Sequence, residues 1–241
     1  MVKNIMTARR AVLGILATAA VPALGACGAE ETKSPKHRST RAVQAAAVSP
    51  ARPADASSVI MIIRHAEKPT GSGAPDGVTD QGKKDSESLT VQGWTRAGAL
   101  ISLFAPRTAG GAAAPVPTGL TRPATVYAAD PTTGGSKRPA ETATPLTAAL
   151  GLTLDTRYAK GDEAGLAAAL LATSGPQLVA WEHESIAAIL AGLGTITPAP
   201  PTDWPDNRFD VVWVLTADGT GWRFTQVPQM LLAGDSPHPI S

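Results

Sequence analysis

Apolar residues fall along this chain in two kinds of run: short blocks, and longer stretches where they return at helical spacing. From Ser58 onward the two kinds alternate, as strands and crossover helices do in a layered α/β domain. Residues 59–63 are apolar on both faces and rich in isoleucine and valine, as a central strand should be. Thr90 is placed to cap a helix through Val91, Trp94, Ala97, Ile101 and Phe104, ended by Pro106. Residues 124–128 read as a second strand, and 137–150 as a helix that Pro145 should kink or restart. Asp162 can cap a helix through Leu166, Leu170 and Leu171; residues 177–181 read as a third strand. A helix over 185–193 turns Ile186, Ile189, Leu190 and Leu193 inward, and 210–216 is a fourth strand. Ala217-Asp218-Gly219 then turns into residues 222–227 as a hairpin. No repeat of solenoid period is present. The expected architecture is a single three-layer α/β/α domain over residues 57–241, its central sheet mostly parallel with one antiparallel edge strand.

The first 56 residues break this pattern. A basic start with Lys3, Arg9 and Arg10 leads into a 14-residue apolar run over 11–24, shorter than the roughly 20 residues a membrane-spanning helix needs. Residues 1–26 therefore read as an export signal. Its end, Leu24-Gly25-Ala26-Cys27, resembles a bacterial lipoprotein signal, which implies lipidation of Cys27 and anchoring to the cell membrane; secretion after ordinary cleavage is the alternative. Arg9-Arg10 leaves the general secretory and twin-arginine routes both open. Residues 27–56 are small, polar and proline-rich, a tether whose flexible span would be roughly 30 Å.

Charge sharpens this division. The formal net charge of +1 sums a basic leader, a tether with five basic and three acidic residues, and a domain with thirteen basic and seventeen acidic residues. An acidic domain offers no footprint for nucleic acid. One cysteine excludes both an intramolecular disulfide and a cysteine zinc site.

Two of the four histidines, His65 and His183, each follow the carboxyl end of a predicted strand, where open α/β sheets bind ligands. Taken singly, each reads more readily as a structural hydrogen-bonding group. Their surroundings carry more. Arg64-His65-Ala66-Glu67-Lys68 after an apolar strand resembles the R-H-G signature of the histidine phosphatase superfamily, in an R-H-A-E-K form. Leu89-Thr90 with Gly93 and Ala97 is similar to that family's L-T-x-x-G-x-x-x-A helix start. Ser136, Arg138, Ala140, Thr142 and Ala143 resemble its second motif, and the strand ending in Glu182-His183 resembles the approach to its second histidine. The matches run in family order across residues 58–227.

The resemblance implies a phosphatase acting on phosphomonoesters or phosphoanhydrides through a phosphohistidine, with a small phosphorylated substrate and neither metal nor cofactor. By resemblance His65 is the nucleophile, and Arg64, Arg138 and His183 hold the phosphoryl group. Arginine suits this work because its planar, permanently charged fork grips phosphate oxygens in pairs. Two nearby guanidinium groups should keep His65 neutral. Arg138 at a helix start points to an anion there, since helix N-termini disfavour cations. The proton donor is open between Glu184 and Asp162, each of which also suits a helix start. A non-catalytic anion-binding module that retains the pocket is the competing reading. Oligomeric state and physiological substrate are not legible.

Overall fold

The computed structural model describes Pro53 and residues 55–241, apart from Ser72 and Gly135. The expected export signal, Cys27 and nearly all of the tether lie outside the described residues. The apolar block after Ser58 forms β1 (Val59–Arg64), and the chain continues through α1 (Val91–Phe104), β2 (Thr125–Ala128), α2 (Arg138–Leu150) and β3 (Leu154–Asp155). Then come α3 (Glu163–Ala172), β4 (Pro176–Trp181), α4 (His183–Gly192), β5 (Ile196–Thr197), β6 (Val211–Asp218) and β7 (Gly221–Pro228).

The seven strands form one sheet in the order β3-β2-β4-β1-β6-β7-β5. β3, β2, β4 and β1 are mutually parallel; β6 runs antiparallel to both β1 and β7, and β5 pairs parallel with β7. The sheet is thus mostly parallel, as its apolar strands imply. The reversed strand β6 is flanked rather than outermost, because the hairpin adds β7 beyond it and the two-residue β5 pairs with that in turn.

Alternate side chains of each strand enter opposite layers. Ile60 and Ile62 join Val179, Trp181, Trp213 and Leu215 under Leu166 and Leu170 of α3 and Ile186 and Ile189 of α4. Met61 and Ile63 join Leu178, Ala180, Val212 and Val214 under Leu100 and Phe104 of α1 and Ala143 and Leu146 of α2. These two buried clusters, on either side of one sheet, make the three-layer α/β/α domain that the pattern predicts.

Three details depart from the sequence reading. The buried stripe of α1 is Gly93, Arg96, Ala97, Leu100, Leu103 and Phe104, while Val91 is 68% exposed. An arginine lies in that stripe because Glu67 and Asp235 hold it, which hydropathy cannot show. α2 runs through Pro145 as one helix; the missing amide costs a single bond in a segment whose Ala143, Leu146 and Thr147 are buried. α4 begins at His183, two residues before the predicted start.

Candidate active site

β1 and β4 are adjacent and parallel, with Arg64 in register with Trp181, and the His65 amide donates to the Trp181 carbonyl at 2.9 Å. The sheet therefore delivers Arg64-His65 and Glu182-His183 side by side at its carboxyl edge. A cavity of about 190 Å³ lies there, lined by His65, Ser136, Arg138 and His183, with Glu184 and Lys68 also on its wall.

The loop carrying His65 is fixed from several directions. Ala66 is fully buried and its methyl group packs with Leu89 and Ala97, so an alanine fills a place that glycine would leave empty. Its amide donates to Thr142 Oγ1 at 2.8 Å. Thr90 caps α1 by accepting the Gly93 amide and also donates to the Glu67 carbonyl. Gly93 must lack a side chain, since a Cβ would come within 2.5 Å of that same carbonyl. Glu67 is bound to Arg96 at 2.8 Å, and Arg96 also reaches Asp235 at 2.7 Å and Gln229 at 3.0 Å.

His65 is almost wholly buried, and its Nδ1 lies 2.7 Å from the Ala66 carbonyl. A carbonyl only accepts, so Nδ1 carries the hydrogen and the lone pair stands at Nε2. Burial pushes the imidazole down to about 3, opposed by the Ala66 bond and aided by the charges of Arg64, Arg138 and Lys68. The ring is therefore neutral as expected, with desolvation as the first cause and the guanidinium groups secondary.

Arg64 is buried too. Its Nη1 faces the carbonyls of Pro205, Asp206 and Arg208 at 3.0, 2.7 and 3.3 Å, and the guanidinium stacks 4.0 Å from the Phe209 ring centre. Burial lowers it to about 10, which leaves it cationic at neutral pH. Arg138, the first residue of α2, donates to the Ser86 carbonyl and pairs with Glu87 at 3.3 Å. The anion that its helix-start position signalled is thus in part this internal carboxylate. His183 places Nε2 2.7 Å from Asp206 Oδ1, and its pKa is lowered by burial and by Arg64.

Five buried polar atoms of this neighbourhood have no hydrogen-bond partner among the described residues: Arg64 Nε and Nη2, Arg138 Nε, Ser136 Oγ and His183 Nδ1. Buried polar groups are nearly always satisfied, and each orphan costs about 1–3 kcal/mol. Ser136, Arg138 and His183 line the cavity, and the donors of the first two fit a ligand rich in acceptor oxygens.

The two proposed donors differ in placement. Glu184 lines the cavity with a side chain 67% exposed and 3.5 Å from Lys160 Nζ. Asp162 does not line it; its carboxylate caps α3 by accepting the Gly165 amide. Four contributors carried no role in the sequence reading. Ser136 lay inside a recognised motif, whereas Lys160, which binds Glu182, and Glu87 are isolated charged loop residues. Asp206 sits in a proline-rich loop that only folding brings to His183.

No protein-family model and no curated protein matches this sequence. Among solved structures, the mycobacterial glucosyl-3-phosphoglycerate phosphatase with VO3 is similar at 16% identity and TM-score 0.44, over 70% of this chain and 97% of that one. The same enzyme with inorganic phosphate gives 14% and 0.42, over 70% and 95%. A candidate phosphohistidine phosphatase, SixA, from Agrobacterium tumefaciens gives 18% and 0.39, over 70% and 95%. At these values function rests on the site itself.

Proposed function

We propose that this protein is a phosphatase of the histidine phosphatase type, hydrolysing phosphomonoesters or phosphoanhydrides through a phosphohistidine at His65. The observation that carries the reading is the pair of buried donors of Arg138 and Ser136, without a hydrogen-bond partner among the described residues, on the wall of a cavity also lined by the neutral His65, with buried Arg64 directly before that histidine. The ordered motifs of residues 64–68, 89–97, 136–143 and 179–183 support it independently.

In this mechanism the phosphoryl group takes up the unsatisfied donors of Arg64 and Arg138, which disperse its charge, while His65 Nε2 attacks phosphorus opposite the leaving oxygen. The Ala66 carbonyl holds the His65 Nδ1 hydrogen, so the ring keeps its reactive tautomer throughout. The N–P bond forms as the P–O bond breaks, and the leaving oxygen takes a proton; Glu184 is the carboxylic acid best placed to give it. Water then attacks the phosphohistidine and releases phosphate. No step calls on a metal or cofactor.

Incubation with an aryl phosphate should yield an acid-labile, base-stable phosphoryl label that His65→Ala abolishes together with turnover. Equal labelling of wild type and His65→Ala, without turnover, would sink the reading and leave an anion-binding module. For the segment before the domain we propose export and lipid anchoring at Cys27, supported by the sequence pattern alone. Labelled palmitate should enter the wild-type chain and not Cys27→Ser; equal incorporation would contradict it.

A further inference from the structure

The His183 ring is held on one side only. Its Nε2 meets Asp206 Oδ1 at 2.7 Å, while Nδ1 is buried without a hydrogen-bond partner among the described residues. A carboxylate accepts, so Nε2 bears a hydrogen; in the neutral ring Nδ1 is then a lone pair, which repels an oxyanion instead of binding it. The first residue of α4 also sits at the positive end of a helix, which disfavours an imidazolium that has no counter-charge.

The charges around His183 single out Asp206. Arg64 and Lys68 act on the ring as cations. His65, Arg138, Lys160, Glu87, Glu182 and Glu184 share its cavity, and Asp203 and Asp206 a second pocket beside it; Glu182 and Glu184 lean on Lys160, Glu87 pairs with Arg138, and Asp206 Oδ1 also lies 3.9 Å from Arg64 Nη2. Asp206 alone among these carboxylates touches the imidazole. Its own backbone carbonyl is held by Arg64 Nη1 at 2.7 Å, which fixes the loop while the side chain stays 86% exposed.

We propose that Asp206 is a positioning residue for His183: by holding Nε2–H it lets the ring accept a second proton at Nδ1 when a tetrahedral dianion enters, so that anion and proton are bound together. This rests on the phosphatase reading of the same cavity. The proton comes from solvent, goes to Nδ1 and forms the hydrogen bond that the neutral ring cannot make; no other bond changes. The dianion and Asp206 then flank the imidazolium on its two N–H edges, so that each edge faces a negative charge.

Sulfate is the decisive probe, because it stays a dianion at neutral pH and cannot carry the proton itself. Calorimetric titration of the full chain with sulfate at pH 7, in buffers of different ionisation enthalpy, should show uptake of about one proton per anion bound. His65→Asn should keep that uptake and His183→Asn should lose it. Asp206→Asn should abolish it and weaken sulfate binding about tenfold, a shift of one pKa unit, while Asp206→Glu restores both. Sulfate binding without proton uptake, or uptake unchanged in Asp206→Asn, overturns the proposal, as does absent sulfate binding in a protein that forms phosphohistidine. Absence of both sulfate binding and phosphohistidine instead defeats the phosphatase reading, and this inference with it.

Discussion

The hydroxyl of Thr142 accepts the amide of Ala66 at 2.8 Å and donates to the Arg138 carbonyl at 2.7 Å. One buried side chain thus joins the loop bearing His65 to the helix start bearing Arg138. Thr142→Val leaves the Ala66 amide unsatisfied, at a cost of about 1–3 kcal/mol. We expect a lower urea midpoint and a kcat reduced about tenfold or more as nucleophile and phosphate grip lose registration. Thr142→Ser should retain both bonds and both properties; equal damage in the two variants would contradict this account.

Arg96 is the hub of a buried ion cluster with Glu67 and Asp235, whose side chains are 4%, 12% and 4% exposed. Arg96→Met leaves two buried carboxylates without their cation, and loss of one partner from such a cluster costs about 3–5 kcal/mol. Chemical denaturation at pH 7 should show that loss. The Asp235 carboxyl is lowered by Arg96 and backbone amides despite opposing burial, so its contribution is complete above pH 3.8 and disappears as pH falls through the lower folded value. Asp235→Asn should flatten the stability profile in that acid window.

His65 titrates near 3 in the fold against 6.5 in the unfolded chain, with burial the main cause. The unfolded chain therefore binds the proton first, and stability falls as pH drops from about 6.5 toward 3, by at most about 1.4 kcal/mol per pH unit. His65→Phe should remove this slope between pH 6 and 4. For the same reason His65 should impose no acid limb on kcat/KM above about pH 4. A limb near pH 6.5 that vanished only on altering His65 would show the nucleophile to be solvated.

Arg64 braces the 205–208 segment through one nitrogen, while its Nε and Nη2 have no hydrogen-bond partner among the described residues and are the donors the proposed mechanism assigns to the phosphoryl group. Lysine keeps the charge but cannot do both. Arg64→Lys should lower kcat/KM about a hundredfold or more and raise amide exchange at Asn207, Arg208 and Phe209. Unaltered exchange in an inactive variant would show that the bracing contacts are dispensable.

Asp162 and Glu184 should separate cleanly. Asp162→Ala removes the α3 cap, costs about 1 kcal/mol and leaves kcat intact. Glu184→Gln should depress turnover of alkyl phosphates about tenfold to a hundredfold, but barely affect p-nitrophenyl phosphate, whose leaving group needs no proton. Equal loss on both substrates would remove Glu184 from the donor role.

The alternating apolar pattern was enough to predict the layered domain, its main strands and the carboxyl-edge position of both histidines. Strand and helix periodicities are local, and 59–63, 177–181 and 185–193 carry them without interruption. β3 and β5 escaped because two residues cannot establish a period. The α1 stripe was misplaced because Arg96 is buried by distant acids rather than by its own hydropathy.

What the chain alone determined is therefore the residue types at the site: Arg64, His65, Arg138 and His183, each in a motif readable along a few positions. What tertiary structure decided is which partners set their protonation and orientation. Asp206 reaches His183 across 23 residues and Arg64 across 142, through a proline-rich loop that no periodicity marks. Asp162 and Glu184 looked equivalent as helix-start acids, and only the packing of α3 and α4 put one beside the cavity and the other away from it. Burial and long-range charge act through space, and a linear pattern records neither until the sheet brings its carboxyl ends together.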